Sequence, residues 1–294
     1  MEKEFKKKIS AWITIIRIGN SIALGYAAIV GYLLGCQRYP NSVEIFKLFF
    51  SAFVIGGGSN IINDYFDAPI DSINKPWRPI PSGIIKAKSA YIAAIILGLI
   101  GIAIAFTINY LAGLIALIAY ILSYLYSYKL KRVLLVGNFV VALLASLSIT
   151  YGGLASSSGI IKISDVVIAT LFAFLLNLGR EFLKGIEDIV GDKKYGVQTL
   201  ATFFGVKIAY ISSVVVFLIL IILSVIPYYF LGYSIYYLIM AIAGVDTIIL
   251  LSLVISSTLN PKDTLKATRL LKLAVFIGIT AFFVEALKNI WVLR

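Results

Sequence analysis

The 294-residue chain is 61% hydrophobic and only 14% charged, and its mean hydropathy of +0.99 excludes an ordinary soluble globular domain. Its net charge of +12 suits basic helix ends at an anionic membrane surface, so no nucleic-acid partner is expected. Cys36 is the only cysteine and histidine is absent, which excludes an internal disulfide and a cysteine metal cluster.

Nine apolar runs are each long enough to cross a hydrocarbon core about 30 Å thick, which takes roughly 20 helical residues. They lie near residues 10–35, 43–63, 88–107, 109–127, 134–157, 164–183, 206–230, 233–257 and 269–291. We therefore predict an all-α, multi-pass membrane bundle of nine transmembrane helices that forms a single domain over residues 1–294.

Polar residues are concentrated at those ends of the runs that would face one side of the membrane. The two largest polar interruptions, residues 60–89 and 177–207, are four helices apart, which favours two four-helix units plus a ninth helix. Most of the 26 basic residues fall at the same ends. The positive-inside rule then predicts a cell-membrane protein whose N-terminus and polar interruptions are cytoplasmic. A signal peptide is disfavoured because Arg17 interrupts the first apolar run.

The first polar interruption carries three aspartates at helical spacing. Asp64, Asp67 and Asp71 are at positions i, i+3 and i+7, so in a helix they share one face over about 10 Å. Pro69 is expected to end or bend this helix. Carboxylates so close together repel one another, and at a membrane span they require a nearby cation. Mg²⁺ fits, because it takes oxygen ligands and bridges carboxylates to substrate phosphates.

The second interruption repeats the pattern. Asp188 and Asp192 would lie within roughly 20° of Glu181 around an ideal helix, although Gly185 and Gly191 weaken that helix. An ordinary solvated charged face is the alternative. Two such clusters in a chain with 14 acidic residues, both at the ends of spans, favour an intramembrane ion site.

Basic side chains accompany both clusters, and arginine and lysine suit diphosphate oxygens. Simple anchoring at the membrane surface is an equal alternative for Lys129, Arg132 and Lys193. It explains Arg17 less well, because a charge inside the first predicted span needs a partner. Acids, a divalent cation and basic groups together indicate an anionic leaving group. Since an apolar bundle has room for a hydrocarbon tail, the implied reaction is prenyl transfer.

Two motifs, Asn63-Asp64-x-x-Asp67-x-x-x-Asp71 and Asp188-x-x-x-Asp192, resemble the signature motifs of the UbiA superfamily of membrane prenyltransferases, in the same order and at a similar separation. Arg17-x-x-Asn20, the run 78–83 and the run 126–131 also resemble family patterns, so the similarity covers nearly the whole chain. A D-x-x-x-D pattern alone is weak, but this ordered set is specific.

The resemblance implies particular roles for residues of this chain. Mg²⁺, the implied cofactor, would be held by Asp64, Asp67, Asp71, Asp188 and Asp192. The candidates for contact with the diphosphate are Asn63, Lys75, Arg78, Lys131, Arg180 and Lys184. The candidates for catalysis or substrate positioning are Arg17, Asn20, Asn60, Tyr126 and Glu181. The candidates for stabilising an allylic cation are Tyr65, Phe66, Tyr124 and Tyr126, for which interfacial anchoring is an equal alternative.

Within the family, the runs 74–79 and 180–192 are most similar to the archaeal branch. Its members transfer a geranylgeranyl group from geranylgeranyl diphosphate to geranylgeranylglyceryl phosphate in ether-lipid synthesis. The expected partners are therefore this diphosphate, a membrane-bound acceptor and the bilayer. Other family members prenylate aromatic acceptors such as 4-hydroxybenzoate, quinone precursors, haem or chlorophyllide, and the shared motifs do not separate these acceptors. A cation-coupled transporter is the alternative of another class.

Overall fold

The computed structural model describes residues 2–36, 41–156 and 163–291. Within these ranges nine helical segments are long and apolar enough to cross a membrane, which confirms the predicted all-α, multi-pass bundle. The first six are α2 (Ile18–Gly35), α3 (Ser42–Asn74), α4 (Ala87–Phe106), α5 (Tyr110–Tyr128), α6 (Val136–Ala155) and α7 (Ile163–Glu187). The arrangement as two four-helix units plus a ninth helix stays a prediction.

The remaining spans contain breaks. The seventh joins α10 (Val206–Ser224) to α11 (Ile226–Leu231), and the ninth is the single helix α14 (Pro261–Trp291). The eighth consists of α12 (Ile235–Ile239), a π-helical turn over Met240–Asp246, and α13 (Thr247–Ser256). We call the end of the bundle that carries Asp64 and Asp192 the motif end, and the other the opposite end.

The first span begins later than predicted, because a separate helix, α1 (Glu2–Ile16), precedes it. Arg17 separates α1 from α2 in a left-handed conformation, with φ of 54°. α1 is amphipathic, with Ala11 and Ile15 buried and Ile13 exposed. Residues 10–16 are mostly apolar and adjoin the first span in the sequence, but they belong to α1. The span itself is Ile18–Gly35, so the predicted start near residue 10 is wrong.

Hydrogen bonds from neighbouring side chains stabilise this break. The Ile16 carbonyl, which has no partner further along α1, accepts from Asn60 Nδ2 and Ser21 Oγ, both at 3.0 Å. Unpaired carbonyls at a helix end need such donors when they are buried. The break therefore places Arg17 beside α3, the helix that contributes Asn60.

α3 is longer than predicted. It runs through Pro69 to Asn74, and the Lys75 N–H donates to the Asp71 carbonyl at 2.8 Å. Pro69 therefore does not end the helix; of the two predicted outcomes, a bend at Pro69 stays a prediction. Proline removes one backbone donor, but α3 packs most extensively against α4, and this contact supports its last turns. All three aspartates of the first motif consequently lie on one helix.

Glycines allow α2 and α6 to pack at very short range. A Cβ atom on Gly31 would lie 2.0 Å from the Ile149 carbonyl oxygen, and one on Gly152 would lie 1.9 Å from the Ala28 carbonyl oxygen. Either substitution would force the helices apart. Small residues at such crossings are typical of membrane bundles, where close backbone contact replaces hydrophobic association.

At the opposite end, two buried acidic side chains form hydrogen bonds that hold neighbouring helices and turns together. The Ser234 N–H donates to Glu285 Oε2 at 2.8 Å, and the Glu285 side chain is almost fully buried. Lys288 Nζ lies 3.1 Å from Glu285 Oε1 and donates to the Gly232 carbonyl at 3.0 Å. Asp246 accepts from Ser224 Oγ at 2.9 Å. The Glu285 and Lys288 contacts join α14 to the turn between α11 and α12, and the Asp246 contact joins α10 to the π-helical turn.

Candidate functional site at the motif end

The first motif is buried and paired with basic side chains from three places in the chain. Asp64, Asp67 and Asp71 are only 5–8% exposed. Arg17 and Arg78 both donate to Asp64 Oδ1, and Lys131 Nζ donates to Asp67 Oδ2 at 2.6 Å. Helical spacing thus places the three carboxylates on α3, and the fold brings cations from the α1–α2 break and two loops to them.

Arg78 joins the two ends of this motif. Its Nη1 lies 3.2 Å from Asp64 Oδ1 and 2.5 Å from Asp71 Oδ2. Burial disfavours the charged guanidinium, but the neighbouring Asp64 and Asp71 carboxylates outweigh that effect and raise the pKa of Arg78. Arg78 therefore stays charged in the site.

The second motif lies across a helix break. α7 ends at Glu187, Asp188 follows in a non-helical conformation, and Asp192 lies in the short helix α8 (Ile189–Lys194). The predicted uninterrupted helical face shared by Glu181, Asp188 and Asp192 is therefore wrong. Glu181 is buried, whereas about a third of the Asp188 side chain is exposed.

Asp192 is in an electrostatically unfavourable position for a carboxylate. Burial and the adjacent Asp188 carboxylate raise its pKa to about 7, although Lys131 and Lys184 act in the opposite direction. Asp67 is among the neighbours that raise this pKa. Asp192 therefore lies close enough to the first motif to share its electrostatic environment.

Direct contacts join the two motifs. Lys75 Nζ, just after α3, lies 3.7 Å from Asp188 Oδ1. Tyr195, just after α8, donates its hydroxyl to the Pro69 carbonyl at 3.0 Å. Together with the Lys131 contact to Asp67, these interactions place both acidic motifs next to each other at the motif end; we call the region between them the opening.

A basic group on α7 completes the other side of this opening. Arg180 Nη1 and Lys184 Nζ share Glu181, at 3.4 Å and 3.3 Å from its oxygens. Arg180 Nε also donates to the Thr268 carbonyl on α14 at 3.2 Å. The Thr268 hydroxyl in turn donates to Glu187 Oε2 at 2.6 Å. α14 is thereby fixed beside the acidic site.

The predicted asparagines differ in their surroundings. Asn60 supports the helix break through the Ile16 carbonyl. Asn63 is half-buried and Asn20 is exposed, and within the described ranges neither side chain donates or accepts a hydrogen bond. These two amides are available to a ligand, whereas Asn60 has a structural partner.

The four predicted aromatic candidates separate into two groups. Tyr65 and Phe66 pack with Tyr91, Tyr124 and Tyr128 between α3, α4 and α5, with ring centroids 5.0–5.5 Å apart across these helices. These rings belong to the packing between helices.

Tyr126 faces a different direction on α5. It lies within electrostatic range of Glu181, Asp67 and Asp192. The electrostatic neighbours of Tyr126 thus include members of both acidic motifs.

Sequence reasoning missed three residues at this end: Tyr195, Thr268 and Lys272. Lys272 lies on α14, where Arg180, Arg17, Lys184 and Glu187 are its electrostatic neighbours. A signal was present for Lys272, because a lysine inside a predicted span is unusual and commonly functional. No sequence signal pointed to Tyr195 or Thr268, since their partners are distant in the chain.

The carboxylates of both motifs are oxygen donors of the kind that hard divalent cations prefer. In the described part of the chain, no three acidic or cysteine side chains are close enough together to form a metal cage, because arginine and lysine separate them. Burial first, and then the Asp188 carboxylate, raise the pKa of Asp192 by more than Lys131 and Lys184 lower it. These carboxylate oxygens therefore suit a divalent cation, which would replace the arginine and lysine side chains as their partner.

Comparison with known proteins agrees with this geometry. The UbiA prenyltransferase family matches residues 24–279. Digeranylgeranylglyceryl phosphate synthase of Sulfolobus acidocaldarius is 36% identical over 280 residues, which cover 95% of this chain and 99% of that protein. A solved structure of a digeranylgeranylglyceryl phosphate synthase has a TM-score of 0.75 at 33% identity, covering 96% of this chain and 99% of that one.

A UbiA homologue from Archaeoglobus fulgidus, solved with GPP and Mg²⁺, has the same fold. Its TM-score is 0.70 at 22% identity, covering 93% of this chain and 99% of that one. The family match spans most of the sequence, and the similarity to the first two proteins is nearly end to end. The chain belongs to the UbiA prenyltransferase family and is a multi-pass membrane enzyme that transfers prenyl groups.

Proposed function

We propose that this enzyme transfers a geranylgeranyl group from geranylgeranyl diphosphate to geranylgeranylglyceryl phosphate, with Mg²⁺ as cofactor and with the motif end facing the cytoplasm. The observation that carries the proposal is the convergence of both acidic motifs, with their basic partners, on one opening. Such a site suits a diphosphate, and the apolar bundle around it suits the attached hydrocarbon.

The metal would be held by Asp64, Asp67 and Asp71 from α3, and by Asp188 and Asp192 from the second motif. When bound, Mg²⁺ would neutralise charge on the departing diphosphate. The Archaeoglobus fulgidus homologue was solved with GPP and Mg²⁺, which supports both an isoprenyl diphosphate and this metal.

The basic residues would hold the diphosphate oxygens. Lys75 and Lys131 approach from the loops after α3 and α5, and Arg180 and Lys184 approach from α7. Arg78 and Asn63 lie beside the first motif. Each cation is already directed into the site by a carboxylate, so little rearrangement of the chain is needed to present several donors to one anion.

The reaction breaks the bond between the prenyl C1 and the diphosphate oxygen, and the electron pair leaves with the diphosphate. A hydroxyl oxygen of the acceptor then bonds to C1, forming an ether. Its proton passes to a site carboxylate or to the diphosphate, since the chain has no histidine. Tyr126 would stabilise the allylic cation through its ring, and Arg17, Asn20 and Glu181 would position the substrates.

The acceptor is supported by similarity. Digeranylgeranylglyceryl phosphate synthases resemble this chain at 36% and 33% identity over nearly its full length. Aromatic acceptors, which other members of the superfamily use, have no comparable support in the structure.

The test is a competition between acceptors. Purified protein with geranylgeranyl diphosphate and Mg²⁺ is offered either geranylgeranylglyceryl phosphate or 4-hydroxybenzoate, and the products are separated by mass. We expect only the ether product, and we expect a metal chelator to abolish it. Turnover of the benzoate alone would contradict the assigned acceptor.

A variant pair tests the site itself. Asp67→Asn is expected to lower kcat by about 100-fold or more, the loss typical when a charge-stabilising group is removed. The matched control is Asp263→Asn, an acid on α14 whose partner is Lys266. Equal activity of the two variants would contradict the placement of the active site.

A further inference from the structure

Lys272 lies inside the membrane span of α14, one helical turn beyond Thr268. Thr268 is fixed to the site, because its carbonyl accepts from Arg180 and its hydroxyl donates to Glu187. Residues four apart lie on the same side of a helix. Lys272 therefore lies one turn deeper in the span than Thr268, on the side of α14 that faces the acidic site, and it is exposed.

Positive charge dominates the surroundings of Lys272. The charged neighbours that affect it most are three cations, Arg180, Arg17 and Lys184, and then one acid, Glu187. Glu187 is already hydrogen-bonded to Thr268. Among the described residues, Lys272 forms no ion pair or hydrogen bond of its own. A lysine within a membrane span and without a partner is unfavourable unless an anion reaches it.

The same side of α14 continues into an apolar cavity. Val275 and Ile279, three and seven residues after Lys272, line a cavity bounded by α2, α6, α7, α10 and α14. Its wall is apolar apart from Ser224, Tyr237 and Asp246 toward the opposite end. A cation followed along one helix face by an apolar cavity matches a ligand with an anionic head and a hydrocarbon tail.

We propose that Lys272 binds the phosphate of the lipid acceptor, and that the acceptor's hydrocarbon chain lies along Val275 and Ile279 in the cavity. This inference rests on the proposed function and identifies how the phosphate of the acceptor is recognised. Lys272 would bind the substrate and take no part in the bonds that form and break.

The donor diphosphate is a less suitable ligand for Lys272. The acidic motifs have their own basic partners, Lys75, Arg78 and Lys131, and a divalent cation would add further positive charge there. A second anion in the same opening needs separate cations. Lys272 has no ion pair within the described part of the chain, whereas the α7 cations Arg180 and Lys184 share a single carboxylate, Glu181.

The experiment measures KM and kcat for each substrate in Lys272→Gln. We expect KM for geranylgeranylglyceryl phosphate to rise about 10- to 100-fold, as for loss of a hydrogen bond to a charged group. Because Lys272 would bind the phosphate equally in the bound substrate and in the transition state, kcat should change much less than KM. KM for geranylgeranyl diphosphate should also be unchanged. The preference for the phosphorylated acceptor over geranylgeranylglycerol should shrink by the same factor.

Lys272→Arg should restore most of the acceptor affinity. The matched control is Lys266→Gln on the same helix, where Lys266 is exposed and paired with Asp263; it should behave as wild type. A further measurement needs no variant. Glycerol 1-phosphate should inhibit the wild type competitively against the acceptor and not against the donor.

Each other outcome overturns the proposal. A rise in the donor KM with the acceptor KM unchanged would assign Lys272 to the diphosphate. An unchanged acceptor KM in Lys272→Gln, or inhibition by glycerol 1-phosphate that competes with the donor, would remove Lys272 from acceptor binding while leaving the proposed function intact. A wild type without preference for the phosphorylated acceptor would overturn the proposed function, and this inference with it.

Discussion

The two acidic motifs meet at one opening but are built differently. Asp64, Asp67 and Asp71 lie on a single helix, are 5–8% exposed, and each accepts from an arginine or lysine at 3.2 Å or less. The second motif lies across the break between α7 and α8. Its Asp188 side chain is 33% exposed and lies 3.7 Å from the nearest ammonium.

This difference indicates different contributions to the protein. Buried, paired charges become strongly destabilising when one partner is removed. Half-exposed pairs contribute little to stability. The first motif therefore supports both the fold and the site, because it fastens the α1–α2 break and the loop after α3. The second motif can change its conformation at the site without unfolding the bundle.

Removal of an acid from each motif should separate these contributions most clearly. Asp64→Ala leaves the Arg17 and Arg78 guanidiniums without their shared carboxylate, so we expect a loss of about 3–5 kcal/mol in stability. Asp188→Ala removes a half-exposed pair, for which we expect about 1 kcal/mol or less. Thermal unfolding of the two purified variants in detergent measures the difference. Equal losses would show that both motifs support the fold alike.

The pKa of Asp192 gives the second test. With a pKa of about 7, the carboxyl is mostly protonated at pH 6 and mostly ionised at pH 8, and only the ionised form binds a cation. The Mg²⁺ concentration for half-maximal activity should therefore rise about tenfold between pH 8 and pH 6. Activity titrated with Mg²⁺ at both pH values measures this.

Asp192→Asn is the control for that titration. Because asparagine does not titrate, the variant should need more Mg²⁺ at both pH values, and the requirement should change much less between them. If the pH effect persisted unchanged in Asp192→Asn, another group would be responsible for it.

The smallest expected effect concerns the contact that connects the motifs. Tyr195→Phe removes the hydrogen bond from the Tyr195 hydroxyl to the Pro69 carbonyl, which stabilises by about 1 kcal/mol or less at an exposed site. We expect kcat/KM to fall only a few-fold, through looser placement of α8. Tyr229→Phe, an exposed tyrosine at the opposite end, is the control. A loss in Tyr195→Phe as large as that in Asp67→Asn would indicate a direct role in the chemistry.

Several elements were predictable because their signals are local. Apolar runs of about 20 residues predict spans from length alone, and nine such helices are present in the described ranges. The i, i+3, i+7 spacing of Asp64, Asp67 and Asp71 predicts a common face, and α3 provides it. The ordered motifs also predicted the family, which the comparisons confirm. The roles of the individual site residues stay predictions.

Other elements depended on contacts between distant residues. The sequence alone determined a nine-span membrane bundle with two acidic motifs at matching ends, because apolar length and helical period are properties of neighbouring residues. Only the tertiary structure decided that Arg17 breaks the first helix beside Asp64, that α3 continues through Pro69, and that Lys272 faces the site. Packing between helices supplies the partners for these groups, and those partners lie tens to hundreds of residues away along the chain.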